Sequence, residues 1–147
     1  MNAKPWSELT TSELYSFVKL RTDVFFVEQK VDEEELDNRD QELGTRHYWI
    51  TDDTGCAAYI RVLLNDIPEH LDARLVIGRV VVRADRRGEG LAQVLLARAL
   101  DDFAGQAMLL HAQEYVAPLY AKFGFDAFGE PYEEATIMHI SMYRAPQ

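Results

Sequence analysis

The segment Arg87-Gly88-Glu89-Gly90-Leu91-Ala92 sets two glycines and an arginine between a β-branched run, Val80-Val81-Val82, and a stretch of helical apolar spacing. The first amides of a helix have no partner inside it, and the helix dipole adds partial positive charge beside them. Glycines let the main chain approach a ligand closely and adopt conformations closed to other residues. Such a turn can hold a phosphate or diphosphate on successive amides, with Arg86 and Arg87 adding charge at its rim. A turn whose glycines only shape the chain would read the same way. Spacing removes two other phosphate loops. A P-loop needs lysine directly after its last glycine, and none follows Gly90; a dinucleotide fingerprint needs a third glycine where Gln93 stands.

The elements that must position this turn follow from pattern. Residues 75–82 are β-rich, and Leu91, Val94, Leu95, Ala99 and Phe103 suit one buried helix face, which ends near Gly105. Thr10-Thr11-Ser12-Glu13 reads as a capping box opening a helix that runs to about Glu28. Residues 46–51 and 56–64 read as two strands joined across Asp52-Asp53-Thr54-Gly55, a hairpin signal. Residues 107–113 read as a further strand and 115–123 as a short helix stopped by Gly124. Strands follow at 125–128 and 139–143, while residues 131–138 fit no pattern. The sum is an α/β or α+β chain, a mixed sheet with helices on its faces.

Composition narrows the function classes. The 147 residues are 48% hydrophobic, enough for a single domain with a real core. No apolar run approaches the roughly 20 residues of a membrane span, and no signal core follows Lys4. A single cysteine, Cys56, suits a reducing, cytoplasmic setting and reads as a small apolar filler. The net charge of −10 argues against a nucleic-acid partner. Acid is concentrated at Asp32-Glu33-Glu34-Glu35, Asp37, Asp40 and Glu42, while arginines gather at Arg79, Arg83, Arg86 and Arg87. That asymmetry suits a small polyanion at one loop and a cationic substrate elsewhere. The acidic block itself reads as a surface loop, or as a rim that attracts an amine through Asp37 and Asp40. Four scattered histidines and one cysteine have no metal-ligand spacing, so no metal is expected.

Arg87, Gly90 and Ala92 also fill the pattern Arg or Gln, x-x-G-x, Gly or Ala. This resembles the pyrophosphate motif of the GNAT superfamily of N-acetyltransferases. The resemblance extends to Tyr120-Ala121-Lys122-Phe123-Gly124-Phe125, the family's Y-x-x-x-G-F pattern. The chain is moreover similar to the ElaA-like branch, through Arg21-Thr22-Asp23-Val24-Phe25-Phe26-Val27-Glu28-Gln29, Asp37 and Asp40, Gly78-Arg79-Val80, Ala112-Gln113, Tyr132-Glu133-Glu134 and His139-Ile140-x-Met142. These marks run in order over residues 14–143. The pattern departs at Met138, where proline is expected before the histidine.

The resemblance implies a GNAT fold, a central mixed, mostly antiparallel sheet splayed where the cofactor enters. It implies acetyl-CoA as co-substrate, held by Val80, Val81, Val82, Arg87, Gly88, Glu89, Gly90, Leu91 and Ala92, with Gln113 touching the pantetheine arm. It implies direct transfer of acetyl to a primary amine, with Tyr120 protonating the leaving thiolate; a phenol keeps its proton at neutral pH and can still donate it. Glu28 and His139 are the main candidates for the base, with Glu133, His47 and His111 as alternatives, or water with no dedicated residue; His111 reads as packed. The acceptor, a small amine or a peptide or protein amine, is not encoded in any spacing, and a homodimer is a reasonable expectation. The competing reading is a non-catalytic module that holds acyl-CoA as a sensor or partner subunit.

Overall fold

A computed structural model describes residues 1–147. Seven strands form one sheet in the order β1-β2-β3-β4-β5-β7-β6. They are β1 (Asn2–Pro5), β2 (Arg46–Asp52), β3 (Gly55–Leu64), β4 (Leu75–Val82), β5 (Met108–Gln113), β6 (Asp126–Glu134) and β7 (Ile137–Arg144). Only β4 and β5 run parallel; every other neighbouring pair is antiparallel. The α-helices are α1 (Thr11–Arg21), α2 (Leu91–Asp102) and the short α3 (Ala117–Ala121).

The capping box is present at the start of α1: Thr10 accepts from the Glu13 amide, and the Glu13 carboxylate accepts from the Thr10 amide. The helical path continues to Glu28 as expected, but residues Thr22–Glu28 widen into π-helical turns. Phe25 and Glu28 of this widened segment, and Gln29 at its end, line a cleft. The main core lies between the sheet and α2, around Leu95, Leu96, Ala99 and Leu100 with Tyr48, Ile60, Ile77 and Leu110. Val94, expected on the buried face of α2, is instead half exposed; in Val94-Leu95-Leu96 the helical period admits only two of three neighbours to the core. On the other face α1 packs Phe17 and Leu20 against Trp49, Tyr59 and Val81.

Two strand features shape the centre. Opposite Ile60, β4 carries an extra residue, and Arg79 takes a left-handed φ of 52° there. This is a bulge, which bends the strand and increases its twist. The parallel ladder between β4 and β5 then holds only from Leu75↔Met108 to Ile77↔Leu110. Beyond that point the two strands part, and the backbone of residues 78–82 faces a gap. The segment that fitted no pattern, 131–138, is a β-hairpin: Tyr132↔His139 and Glu133↔Met138 are paired, and Ala135 and Thr136 turn it with positive φ. Met138 thus lies within a strand. Residues 2–5, which carry no strand pattern of their own, form the edge strand against β2.

Candidate active site

The turn from β4 into α2 begins with one 3-10 stretch, Ala84–Arg86, after which Gly88 and Gly90 have φ of 85° and 79°. Left-handed backbone of this kind is strained for any residue carrying a Cβ, and at Gly90 that atom would also stand 3.2 Å from Gln93 Oε1. Gly90 caps α2 without a side chain, so its first amides are presented uncapped. A groove of about 480 Å³ lies over them, walled by Arg86, Arg87, Gly88, Gln93 and Leu119. Glu89, Leu91 and Ala92 line it too, so the motif stays together in space. Amides converging at a helix start form an anion site.

The arginines of this loop differ from expectation. Arg86 donates to Asp52 at 2.6 Å and to Glu89 at 2.9 Å. Arg87 forms a bidentate pair with Glu28, at 2.8 and 2.9 Å, and donates to Val82 O at 3.1 Å. Neither is a free cation at the rim, because the acidic chain supplies each with a carboxylate. The pair also redefines Glu28: the Arg87 hydrogen bond holds its carboxyl below the usual range, which makes it a weaker base. Both partners are well exposed, and an exposed pair opens easily to admit a stronger anion.

Behind the loop the gap between β4 and β5 opens into a cleft of about 1200 Å³. Val80, Val81, Val82, Arg87, Gly88, Ala92, Gln113, Tyr120, Glu28 and His139 all line it, so the sequence candidates from four separate regions meet there. The Arg83 amide turns to Ala57 O of β3, so the Val82 amide, next along the extended strand, faces the gap. Gln113 donates to Gln29 Oε1 at 3.0 Å, joining β5 to the end of the widened helix. Tyr120 is nearly buried, edge-on to Phe125, and burial pushes its phenol up to about 12, with Tyr115 adding to the shift. Its proton is therefore retained throughout the neutral range. His139 has its Nδ1 at 2.8 Å from Ile137 O and its ring stacked on Tyr132. A carbonyl accepts only, so Nδ1 carries the hydrogen, and the lone pair of the neutral ring is the one on Nε2.

The remaining histidines separate cleanly. His47 is fully buried, between Tyr59 O–H at 2.6 Å and Asp40 O at 3.0 Å, and burial keeps it neutral. It is structural. His111, expected to be packed, is exposed, because β5 faces the cleft where β4 has left it; its Nδ1 is 3.0 Å from Ser141 Oγ and its Nε2 3.1 Å from Glu69 Oε1. Glu133, the remaining base alternative, is exposed on β6 and lines the cleft.

The acidic segment is a surface loop at Asp32, Glu33, Glu34 and Glu42, which are exposed, but Glu35, Asp37 and Asp40 turn inward and are spent on arginines instead of forming a free acidic rim. Asp40 is buried between Arg21 Nη1 at 2.8 Å and Arg61 Nη1 at 3.1 Å. Asp37 takes Arg61 at 2.8 Å, and Glu35 takes both Arg21 and Arg79 at 2.7 Å. Burial raises the Asp37 carboxyl, but the Arg61 hydrogen bond and charge outweigh it and leave it at about 2. The sequence carried one hint: Arg61 interrupts the apolar run Tyr59-Ile60-Arg61-Val62, and a buried charge requires a partner.

No helix is long and apolar enough to cross a membrane, and no group of three or more His, Cys, Asp or Glu side chains is placed to hold a metal. Comparison with known proteins bears on the same residues. A family model described as "Acetyltransferase (GNAT) domain" matches residues 13–145. Protein ElaA of Escherichia coli is 37% identical over 94% of this chain and 91% of its own length. A UPF0039 protein of Mycobacterium tuberculosis is 34% identical over 93% of this chain and 87% of its own. Among solved structures, an acyl-CoA N-acyltransferase from Pseudomonas aeruginosa superposes with a TM-score of 0.88 at 38% identity, covering 98% of this chain and 97% of that one. The crystal structure of Escherichia coli ElaA gives 0.88 at 34% identity, covering 97% of each.

Proposed function

The chain belongs to the GNAT acetyltransferase family, with the fold of acyl-CoA N-acyltransferases, and from that membership we propose that residues 1–147 act as one domain that transfers an acetyl group from acetyl-CoA to a primary amine. The observation that carries this reading is the set of uncapped amides at the start of α2, opening directly onto the gap between β4 and β5. A diphosphate suits the first and an extended thioester arm suits the second. Gly88, Gly90 and the amides of Leu91 and Ala92 would bind the diphosphate; Arg87, released from Glu28, would add its charge.

In this reading the Val82 amide faces the thioester carbonyl and stabilises the charge that grows on its oxygen as the amine attacks. Tyr120 supplies a proton to the departing sulfur; its raised phenol favours the protonated form that this role needs. Gln113, steadied by Gln29, positions the arm on the other side of the gap. His139 Nε2 is one lone pair on the acceptor side, whereas Glu28 serves as the gate of Arg87 better than as a base. A cytoplasmic setting fits the lone thiol of Cys56, which burial pushes up to about 12 and so keeps unreactive.

The test is release of free thiol from acetyl-CoA in the presence of spermidine, a lysine peptide and a peptide with a free N-terminus. Amine-dependent release above the blank supports transfer. Binding of acetyl-CoA with no such release favours a non-catalytic acyl-CoA module, and no change in melting temperature with coenzyme A removes both readings.

A further inference from the structure

We propose that the place filled by the Arg87 guanidinium is the seat of the acceptor's ammonium group: Glu28 and the Val82 carbonyl take the amine once a diphosphate has drawn Arg87 away. The proposal rests on the reading of this site, given above, as one for acyl-CoA and an amine. The guanidinium lies between two chain segments. Its Nε donates to Val82 O at 3.1 Å, while Nη1 and Nη2 donate to Glu28 Oε2 at 2.8 Å and Oε1 at 2.9 Å. Three N–H groups thus meet three oxygens, and a guanidinium has donors only, so the direction of each bond is settled. A primary ammonium likewise carries one positive charge and three N–H donors, in a more compact group.

Position makes the seat useful. Val82 ends β4, and the N–H and C=O of one residue in an extended strand point to the same side, here into the gap. An ammonium on Val82 O therefore stands beside the amide assigned to the thioester carbonyl. Glu28, Val82 and Arg87 all line the cleft. Val82 and Arg87 also wall the groove over the start of α2, so the Arg87 side chain sits where the two volumes join. It can turn from carboxylate to diphosphate without leaving the site. The other carboxylates of the cleft are placed differently. Glu35 is spent on Arg21 and Arg79, and Glu69 lies 3.1 Å from His111 Nε2. Glu133 and Glu134 belong to β6, which β5 and β7 separate from β4, and Glu33 lies in the acidic loop. Glu28 is the one joined to the main chain of Val82 through a single cation.

The exchange is energetically easy. Both side chains of the pair are exposed, so it holds the loop weakly. A diphosphate on the α2 amides offers Arg87 more negative charge than one carboxylate does, and its departure leaves Glu28 free for a new cation. Amines of pKa about 10 arrive near neutral pH as ammonium, the form this seat takes. Each ligand then removes an obstacle to the other. Coenzyme A empties the seat, and an amine in the seat keeps Glu28 from recapturing Arg87. The two binding free energies are coupled, equally in both directions. Glu28 is an acceptor-binding residue in this scheme and leaves removal of the proton to another group.

The experiment is calorimetry of spermidine and of a lysine peptide, with and without saturating coenzyme A, paired with thiol release from acetyl-CoA. It compares wild type with Glu28→Gln, Arg87→Ala and Glu133→Gln, each checked for an unchanged melting temperature. In wild type, coenzyme A should tighten amine binding about tenfold. Arg87→Ala opens the seat from the start, so the amine binds tightly with or without coenzyme A, while coenzyme A itself binds more weakly. Glu28→Gln should tighten coenzyme A about threefold by releasing Arg87. The same variant should raise KM for the amine about tenfold with kcat little changed. Amine affinity that ignores coenzyme A in wild type, an unchanged KM in Glu28→Gln, or a KM raised by Glu133→Gln alone overturns the seat; thiol release in wild type still upholds transfer. A wild type in which the two ligands tighten each other yet no thiol appears supports the seat and overturns transfer.

Discussion

Two regions of this chain are built from the same ingredients, arginines facing carboxylates, and they do opposite things. In residues 32–42 the carboxylates of Glu35, Asp37 and Asp40 close on Arg21, Arg61 and Arg79, with Arg21 and Arg61 almost wholly shielded from water. In residues 83–92 the pairs of Arg86 with Glu89 and of Arg87 with Glu28 lie at the surface, beside amides that no side chain caps. Burial makes the difference. A buried pair, once one partner is removed, leaves an uncompensated charge in a poor dielectric; an exposed pair is exchanged for water or for another anion at little loss. The first region is a weld that fixes the wall of the cleft, and the second is a latch.

The largest effect should come from breaking the weld. Arg21→Ala is expected to lose about 3–5 kcal/mol of stability in chemical denaturation, because Asp40 and Glu35 lose a buried partner together. A loss below about 1 kcal/mol would make the two regions equivalent. Next in size, Tyr120→Phe keeps the ring and the packing but not the proton. Turnover should fall about 100-fold with coenzyme A affinity nearly unchanged, and an unchanged turnover removes Tyr120 from the chemistry. Gly90→Val puts a branched Cβ at a φ of 79° beside Gln93. It should weaken coenzyme A binding at least about tenfold, measured by calorimetry, at an energetic penalty of about 1–2 kcal/mol for the strained residue.

Acid separates the regions by pH. The Asp37 carboxyl is lower in the folded chain, at about 2, than the roughly 3.9 of an unfolded aspartate, so the unfolded state binds protons first. Its contribution is present above about pH 4 and is lost as pH falls toward 2; near-ultraviolet circular dichroism should record the loss, and in Asp37→Asn that step should be absent. The smallest effect belongs to the latch: Arg86→Ala should change stability by less than about 1 kcal/mol.

Much of this frame was legible in the sequence. β2, β3 and β4 were visible because β-branched runs are punctuated by Asp52-Asp53-Thr54-Gly55, and α1 because its capping box is local. The motif loop was legible for the same reason, its residues being contiguous. The weld was not, since Arg21 meets Glu35 across 14 residues and Arg79 meets it across 44. Nor was the exposure of His111, which depends on β4 and β5 parting after Ile77, next to the bulge at Arg79. The β6–β7 hairpin was obscured by Gly129 and Pro131 inside an exposed strand, where neither alternation nor burial marks the pattern.

Amide chemical shifts recorded while coenzyme A is titrated into the folded protein would examine the loop itself. The largest changes should fall on Gly88, Gly90, Leu91, Ala92 and Gln93, with the Arg87 side chain leaving Glu28. Saturating coenzyme A that leaves those amides unmoved, or moves another surface instead, would contradict the assignment of this helix start as the diphosphate site.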